Sequence, residues 1–286
     1  MIPQRNSLPY WLSAPGALMA CALVAAPLVM TFSLSFHELQ QGGVISEAYT
    51  LKNYAHVFSD DYYFQIFVRT FFIALLVTGA SILIGVPEAY VLSRLPPGWR
   101  AVSIVIVLGP LLVSVVVRTL GWAILLGSEG MVNKALVALG VVEQPLKLMY
   151  TYTGVVIALT HVLVPYMVLA VWASMQKIDF TTEQAADSLG AGPLTVLRRI
   201  VLPQVIPGVL SGGLIVFALA ASAFATPAII GGRRLKVVPT TIYDEFLGEL
   251  NWPMGAALAA VLMIVVLVIS VMTNRFIERR YKQVFQ

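Results

Sequence analysis

Four ionisable residues lie inside long apolar stretches of this sequence: Arg69, Glu88, Arg118 and His161. An ionisable group within an apolar helix is costly, and it marks either a pathway or a buried pair. Trp122 follows Arg118 by four residues, which places both side chains on one helical face and makes a cation–π contact available. We therefore interpret five residues as candidates for lining a solute path: Glu88, Arg118, Trp122, His161 and Tyr166.

Other interpretations stay open at these positions. Arg118 fits a structural pair with an acid or a lipid headgroup as well as it fits a path. Arg69 better fits an anchor whose apolar stem lies in lipid while its charged head reaches water. His161 and Tyr166 are also common packing residues, and tyrosine is enriched at membrane surfaces.

No constellation for catalysis is present in the sequence. No lysine follows a glycine, so the Gly-Lys-Ser/Thr loop that holds nucleotide phosphates is absent. The histidines are far apart, and no Glu- or His-rich cluster predicts a metal site. The single cysteine, Cys21, lies in an apolar run and is interpreted as a small hydrophobe. We expect no catalytic residue, no metal and no cofactor, and we expect any ATP hydrolysis on a separate chain.

The elements that carry these residues are apolar enough to lie in lipid. Of the 286 residues, 59% are hydrophobic and 11% are charged, whereas an average soluble domain has roughly 25% charged residues. A membrane-spanning helix needs about 20 apolar residues, and six runs are long enough: 11–36, 70–92, 102–126, 150–175, 205–231 and 254–274. The pattern predicts an all-α, polytopic membrane protein of six transmembrane helices, with residues 1–286 in a single transmembrane domain.

The distribution of basic residues favours one orientation. With the N-terminus in the cytoplasm, more than half of the 18 Lys and Arg residues fall in inner segments, notably the short turn 95–100 and the C-terminal tail. Basic residues beside helix ends stay on the cytoplasmic side, so both termini are predicted to be cytoplasmic. The net charge of +4 is spread over these flanking positions, which argues against a nucleic-acid-binding surface.

One polar segment, 177–204, separates the fourth and fifth apolar runs. Thr181 and Gln184 fit a capping box that begins a helix, and Gly190 can end that helix in the left-handed conformation. Pro193 suits the first turn of a second helix that leads into the fifth run. A helix of about eight residues is marginal by itself in water, so we expect it to bind a partner surface.

The spacing in this segment resembles the cytoplasmic EAA loop of permeases in binding-protein-dependent ABC importers. The match consists of Gln184-Ala185-Ala186, then Gly190, and nine residues later Ile200-x-Leu202-Pro203. The resemblance implies a coupling helix that docks into a groove of an ATPase subunit, and it gives this role to seven residues: Glu183, Gln184, Ala185, Ala186, Gly190, Leu202 and Pro203. Gln184 stands where the signature has Glu. The alternative is a helix lying on the membrane surface, although the segment lacks the Trp- or Leu-rich face typical of one.

Most of the chain is similar to the first of the paired permeases in spermidine/putrescine-type importers, through the stretches 53–58, 87–97, 118–122, 145–146 and 251–253. The resemblance implies the type I importer permease fold in a bacterial inner membrane. It also implies a second homologous permease, two ATPase subunits and an extracytoplasmic solute-binding protein as partners. The implied function is ATP-driven alternating access for a small solute, polyamine-like or another small organic molecule.

The outer segment 243–252 combines acidic and aromatic residues. We interpret Tyr243, Asp244, Glu245 and Trp252 as contacts for the substrate or for the docked binding protein, with a solvated loop as the alternative. A polyamine path would offer acids or aromatic faces to a cation, and the spans contain few acids. The sequence therefore determines neither the solute nor whether the permease pair is a homodimer or a heterodimer.

A secondary transporter or channel subunit driven by an ion gradient is the alternative function. Such proteins commonly contain inverted repeats and broken helices, and the sequence indicates neither. A docking helix would also have no role in such a protein.

Overall fold

The chain is almost entirely helical. The computed structural model describes residues 8–40, 42–178 and 180–280. Within these ranges there is no β-strand, only an isolated bridge between Leu39 and Ile45, which agrees with the all-α prediction. The helices of the first half are α1 (Leu8–Leu34), α2 (Lys52–Ser59), α3 (Asp61–Arg94), α4 (Pro97–Leu112), α5 (Val115–Leu126) and α6 (Met131–Ala138). Those of the second half are α7 (Tyr152–Met175), α8 (Phe180–Ser188), α9 (Pro193–Val196), α10 (Leu202–Ala221), α11 (Val238–Tyr243) and α12 (Trp252–Arg280).

Six segments of the described chain are long and apolar enough to cross a membrane, which confirms the predicted number. They are Ala14–Leu34, Asp61–Arg94, Val115–Ala138, Tyr152–Met175, Leu197–Ala221 and Trp252–Arg279. Helix α4 is apolar but only 16 residues long, so it falls short of the roughly 20 residues that a full span requires. The third span therefore lies further along the chain than the run 102–126 predicted.

Two of the six apolar runs are interrupted. The run 102–126 is divided between α4 and α5 by Val113 and Ser114, whose ψ angles of 139° and 132° are extended. The run 205–231 is helical only as far as Ala221, and Pro227–Gly231 then forms a π-helical turn. The expectation of unbroken helices is wrong at both places, because hydropathy reports how apolar a run is and not which backbone conformation each residue adopts.

The described residues divide into two compact units. The first contains the residues up to Phe64 together with Thr241–Met263. Its loop after α1 is held by side chains, since Asn53 donates to the carbonyls of Ser35 at 3.0 Å and His37 at 2.6 Å. In the span of α1 no residue is buried within the chain, as expected for a helix that faces lipid. The single permease domain over 1–286 stays a prediction.

The second unit contains Gln65–Thr240 and the residues from Ile264 onward, with α7 at its centre. Glycines bring two neighbouring helices close to α7. A Cβ atom on Gly208 of α10 would lie 2.5 Å from the Cβ of Ser174, and one on Gly85 of α3 would lie 2.8 Å from the Cγ of Met167. Small residues allow such close helix contacts in membranes, so α3 and α10 are held directly against α7.

Candidate coupling segment and solute cavities

Helix α8 covers the centre of the segment that resembles the EAA loop, and it ends as predicted at Gly190. Gly190 has a φ of +80°, a conformation that glycine adopts without the steric cost of a Cβ. The N–H of Ala191 donates to the carbonyl of Ala186 at 3.0 Å. This bond closes the last turn in the pattern of a Schellman motif, so the predicted C-terminus of the helix is confirmed.

The N-terminus of α8 differs from the prediction. The helix begins at Phe180, so Thr181 is its second residue and not its N-cap, and the predicted capping box is wrong. Asp179 and Thr181 are both residue types that cap helices, and the sequence pattern does not distinguish between them. Asp179 lies outside the described residues.

The two faces of α8 have different environments. Gln184 and Ala185 are exposed, and Leu189 at the tip is 89% exposed. Ala186 is half-buried and packs against the hydrophobic core of the chain, so the small residues predicted to form one docking face lie on two faces. Glu183 is also directed inward and is only 5% exposed.

Glu183 forms an ion pair with Arg94 at the end of α3. The Arg94 guanidinium in turn lies over the ring of Tyr90, with its central carbon 5.1 Å from the ring centroid. The pair joins α8 to a membrane-spanning helix that is 89 residues away in sequence. In the sequence, Arg94 stands out only as part of the stretch 87–97 and as a basic residue at the end of an apolar run, and neither feature indicates a pair with Glu183.

Four residues that are not helical, 189–192, follow α8, and from Pro193 the chain is helical without interruption into the fifth span. Helix α9 starts at Pro193 as predicted, a π-helical turn covers Leu197–Val201, and α10 begins at Leu202. Pro203 has no N–H to donate to residue 199, which suits a widened turn directly before it. Leu202 packs against the hydrophobic core. Motion of α8 would therefore have to pass through residues 189–192 before it reaches the continuous helical segment that leads into α10.

A cavity of about 480 Å³ brings together Glu88, Trp122 and His161, three of the five residues predicted to line a path. Its walls come mainly from α3, α4 and α7, and Trp122 of α5 completes them. The indole Nε1 of Trp122 donates to Nδ1 of His161 at 3.1 Å. Because an indole nitrogen only donates, Nδ1 of His161 is the acceptor, and the neutral ring carries its hydrogen on Nε2.

Arg118 and Tyr166 line a second cavity of about 240 Å³, beside the interrupted segment that follows α10. Arg118 donates to the carbonyl of Pro110. That carbonyl lies in the last turn of α4, where the break at Val113 leaves it without its usual helical donor. Arg118 thus caps a helix C-terminus, where positive charge is favourable. Within the described residues the predicted cation–π contact with Trp122 does not form.

Arg69 also reaches a backbone carbonyl. Its Nη1 donates to the carbonyl of Lys236 at 3.2 Å. The structure therefore ties Arg69 to a neighbouring segment of the chain, in addition to any anchoring at the lipid surface.

The segment that contains Tyr243, Asp244, Glu245 and Trp252 borders a polar cavity of about 630 Å³, which Glu38, Lys52, His56 and Glu249 also line. Tyr63 donates to Glu245 at 2.9 Å. Burial raises the pKa of the Glu245 carboxyl, and the hydrogen bond from Tyr63 opposes this shift. Tyr243 and Trp252 are about half exposed. Among the described residues, no group of three or more His, Cys, Asp or Glu side chains could hold a metal ion.

These features agree with the family to which the chain is most clearly related. Residues 81–283 match the family described as binding-protein-dependent transport system inner membrane component, and the chain belongs to this family. The protein is thus a multi-pass inner-membrane protein and a permease subunit of an ABC importer for a small solute. An ion-gradient-driven transporter is not favoured, although the broken helices that the sequence had not indicated are present.

Two groups of relatives are similar over most of the chain. The spermidine/putrescine transport system permease protein PotB of Escherichia coli (strain K12) is 31% identical over 242 residues, which cover 85% of this chain and 88% of the relative. The putative 2-aminoethylphosphonate transport system permease protein PhnU of Salmonella choleraesuis (strain SC-B67) is 26% identical over 217 residues, 74% of each chain. The first relative confirms the predicted resemblance to spermidine/putrescine-type permeases.

Solved structures share the fold. A bacterial ABC transporter involved in the import of the acidic polysaccharide alginate superimposes with a TM-score of 0.73, covering 96% of both chains at 18% sequence identity. This agreement confirms the importer permease fold.

Proposed function

We propose that this permease imports a small organic solute that carries an aliphatic amine. Spermidine, putrescine and 2-aminoethylphosphonate, the solutes named for its relatives, all contain an aliphatic primary amine. Its partners would be a second homologous permease, two ATPase subunits that hydrolyse ATP, and an extracytoplasmic binding protein that delivers the solute.

Helix α8 would transmit the closure of the ATPase subunits. The proposal rests on one observation: α8 projects an exposed face with Leu189 at its tip, while its opposite face is fixed to α3 through the pair of Glu183 with Arg94. A short helix fixed on one side and exposed on the other is suited to move as a unit with a partner. Leu202 and Pro203 would carry that motion into the membrane.

The orientation follows from this assignment. An ATPase in the cytoplasm requires α8 on the cytoplasmic side, and with six spans both termini are then cytoplasmic, in agreement with the basic flanks. The polar cavity that Glu245 lines would then face outward, where it could contact the solute or the binding protein. Alternating access would expose the cavities that contain Glu88 and Arg118 first to one side and then to the other.

Replacing Ala185 with Glu tests the docking face. Ala185 is exposed and does not pack against the core, unlike Ala186. Buried in an ATPase groove, an unpaired carboxylate would cost several kcal/mol, whereas on a solvated surface the change would usually cost within about 0.5 kcal/mol. We expect Ala185→Glu to reduce ATP-driven uptake in proteoliposomes at least tenfold and to weaken co-purification of the ATPase.

The matched control is Ala101→Glu in the first turns of α4, an equally exposed alanine on the proposed cytoplasmic side. An acid near a helix N-terminus is tolerated well, so this variant should transport normally. Normal uptake by Ala185→Glu would refute docking through this face, and loss of uptake in both variants would point to a general effect of charge near the membrane.

A further inference from the structure

Two polar groups in the cavity between α3, α4 and α7 have no partner in the part of the chain that the structure describes. Glu88 forms no ion pair or hydrogen bond within the described residues, although apolar side chains make up most of the wall around it. The hydroxyl of Thr160, a residue only 5% exposed, also has no hydrogen-bond partner among the described residues. Buried polar groups are nearly always satisfied, so the Thr160 hydroxyl points to a ligand, and the half-buried Glu88 lines the same cavity.

Glu88 lies near one end of the cavity, and Thr160 and His161 lie further along it. Helices α3 and α7 run parallel, because Phe72 contacts Tyr152 with ring centroids 6.2 Å apart and Gly85 lies against Met167. Glu88 comes three residues after Gly85, and His161 comes six residues before Met167. At 1.5 Å per helical residue, Glu88 and His161 are about 13 Å apart along the helix axis.

The chemistry of these polar groups limits what can bind. A carboxylate without a basic partner in an apolar environment is stabilised by a cation. Further along the cavity, Nδ1 of His161 accepts the hydrogen bond from Trp122. The neutral ring therefore offers an Nε2 donor, and the hydroxyl of Thr160, which has no partner among the described residues, lines the same cavity. The rest of the wall is mostly hydrocarbon, with Ile84, Val107 and Val164 among its side chains.

We propose that this cavity binds a primary alkylammonium group, with the cationic nitrogen at Glu88, the hydrocarbon chain along the apolar wall, and a second polar group of the ligand at the hydroxyl of Thr160. The inference extends the proposed function by assigning the amine of the solute to one site. The same chemistry occurs in the headgroup of phosphatidylethanolamine, which is a second source of an alkylammonium group in a membrane.

The test measures binding of radiolabelled putrescine to the purified complex in nanodiscs that contain phosphatidylglycerol as the only lipid. We expect saturable binding to the wild-type complex, at least tenfold weaker binding to Glu88→Gln, and about threefold weaker binding to Thr160→Val. Glu88→Asp, which keeps the charge, should restore most of the affinity. The matched control is Glu278→Gln, an exposed acid on α12, which should bind as the wild type does.

A second set of nanodiscs distinguishes the soluble amine from the lipid headgroup as the source of the alkylammonium group. Nanodiscs that also contain phosphatidylethanolamine should weaken putrescine binding if the lipid headgroup enters the same cavity, and this competition should disappear in Glu88→Gln. Putrescine affinity that does not depend on this lipid would assign the site to the soluble amine. Either result supports an alkylammonium site, whereas equal putrescine binding to the wild type and Glu88→Gln, or no binding to either, would overturn it.

The proposed function has its own readout in the same preparations. ATP-driven, binding-protein-dependent uptake reports whether the complex imports an amine-bearing solute. If Glu88→Gln transports normally and binds putrescine as tightly as the wild type does, the proposed site is refuted and the proposed function stands. Glu88-dependent putrescine binding without uptake of any amine would keep the site and refute the proposed function.

Discussion

At the scale of single residues, Glu183 and Arg94 form an ion pair between α8 and α3 that their positions in the sequence do not indicate. Glu183 belongs to the segment that resembles the EAA loop, yet its carboxylate is directed into the chain and pairs with Arg94. A buried carboxylate that loses its partner cation keeps the cost of desolvation. The pair therefore contributes to holding α8 in place, whichever surface α8 presents to a partner.

Removing the cation should loosen α8. We expect Arg94→Gln to destabilise the attachment of α8 by about 1–2 kcal/mol, below the 3–5 kcal/mol typical of fully buried pairs, because the Arg94 side chain is 40% exposed and solvent screens it. Hydrogen–deuterium exchange of the α8 amides should then be faster, while exchange in α7 stays unchanged.

Arg94→Lys keeps the charge and should exchange nearly as slowly as the wild type. In the double variant Arg94→Gln/Glu183→Gln, no charge is left unpaired, so its stability loss should be smaller than the sum of the two single losses. Strictly additive losses would mean that the pair contributes nothing to holding α8.

At the scale of elements, the stability of α8 depends on the backbone conformation of Gly190, the residue at which the helix ends. Nothing lies within 4 Å of a Cβ atom built on Gly190, and its φ of +80° is the only obstacle to a side chain there. The position therefore isolates a backbone effect from a packing effect. The Schellman bond from Ala191 to Ala186 exists only while residue 190 keeps this conformation.

Gly190→Ala should cost about 1 kcal/mol, the usual penalty of a Cβ in the left-handed region, and should lower ATP-driven uptake severalfold through misplacement of Leu189. Gly98→Ala is the control, since Gly98 is in α4, has open space around it and has no left-handed φ. Alanine favours a helix over glycine, so this variant should be neutral or slightly more stable. Equal behaviour of the two variants would show that the helix end is not under conformational constraint.

At the scale of the whole molecule, the prediction concerns orientation: with six spans, we expect the two ends of the chain on one side of the membrane. Which side that is depends on charge, because basic residues beside helix ends are retained in the cytoplasm. The proposed cytoplasmic position of α8 depends on this orientation.

Cysteine labelling tests the orientation directly. The sequence contains a single cysteine, Cys21, so a Cys21→Ser background is free of thiols. In that background Ser188→Cys on α8 should react with a membrane-impermeant maleimide only after the membrane is opened. Ala48→Cys, an exposed position in the loop before α2, should react in intact cells. The reverse pattern would invert the topology and separate α8 from any cytoplasmic partner.

The number of spans, the all-α class and the helix of the polar segment 177–204 could all be predicted from the sequence, because each depends on local properties. Apolar length sets whether a segment can cross lipid, and Gly190 and Pro193 act on the backbone where they stand. For the same reason the resemblance to importer permeases could be found in a short stretch with fixed spacing.

Only the tertiary structure decided how the site residues are grouped. The hydrogen bond from Trp122 to His161 joins residues 39 positions apart, and the pair between Arg94 and Glu183 joins residues 89 positions apart. The contact of Arg118 with the carbonyl of Pro110 depends on a helix break that hydropathy does not register. These features were inaccessible to sequence reasoning because they depend on which faces of distant helices meet, and that is determined by packing across the whole fold.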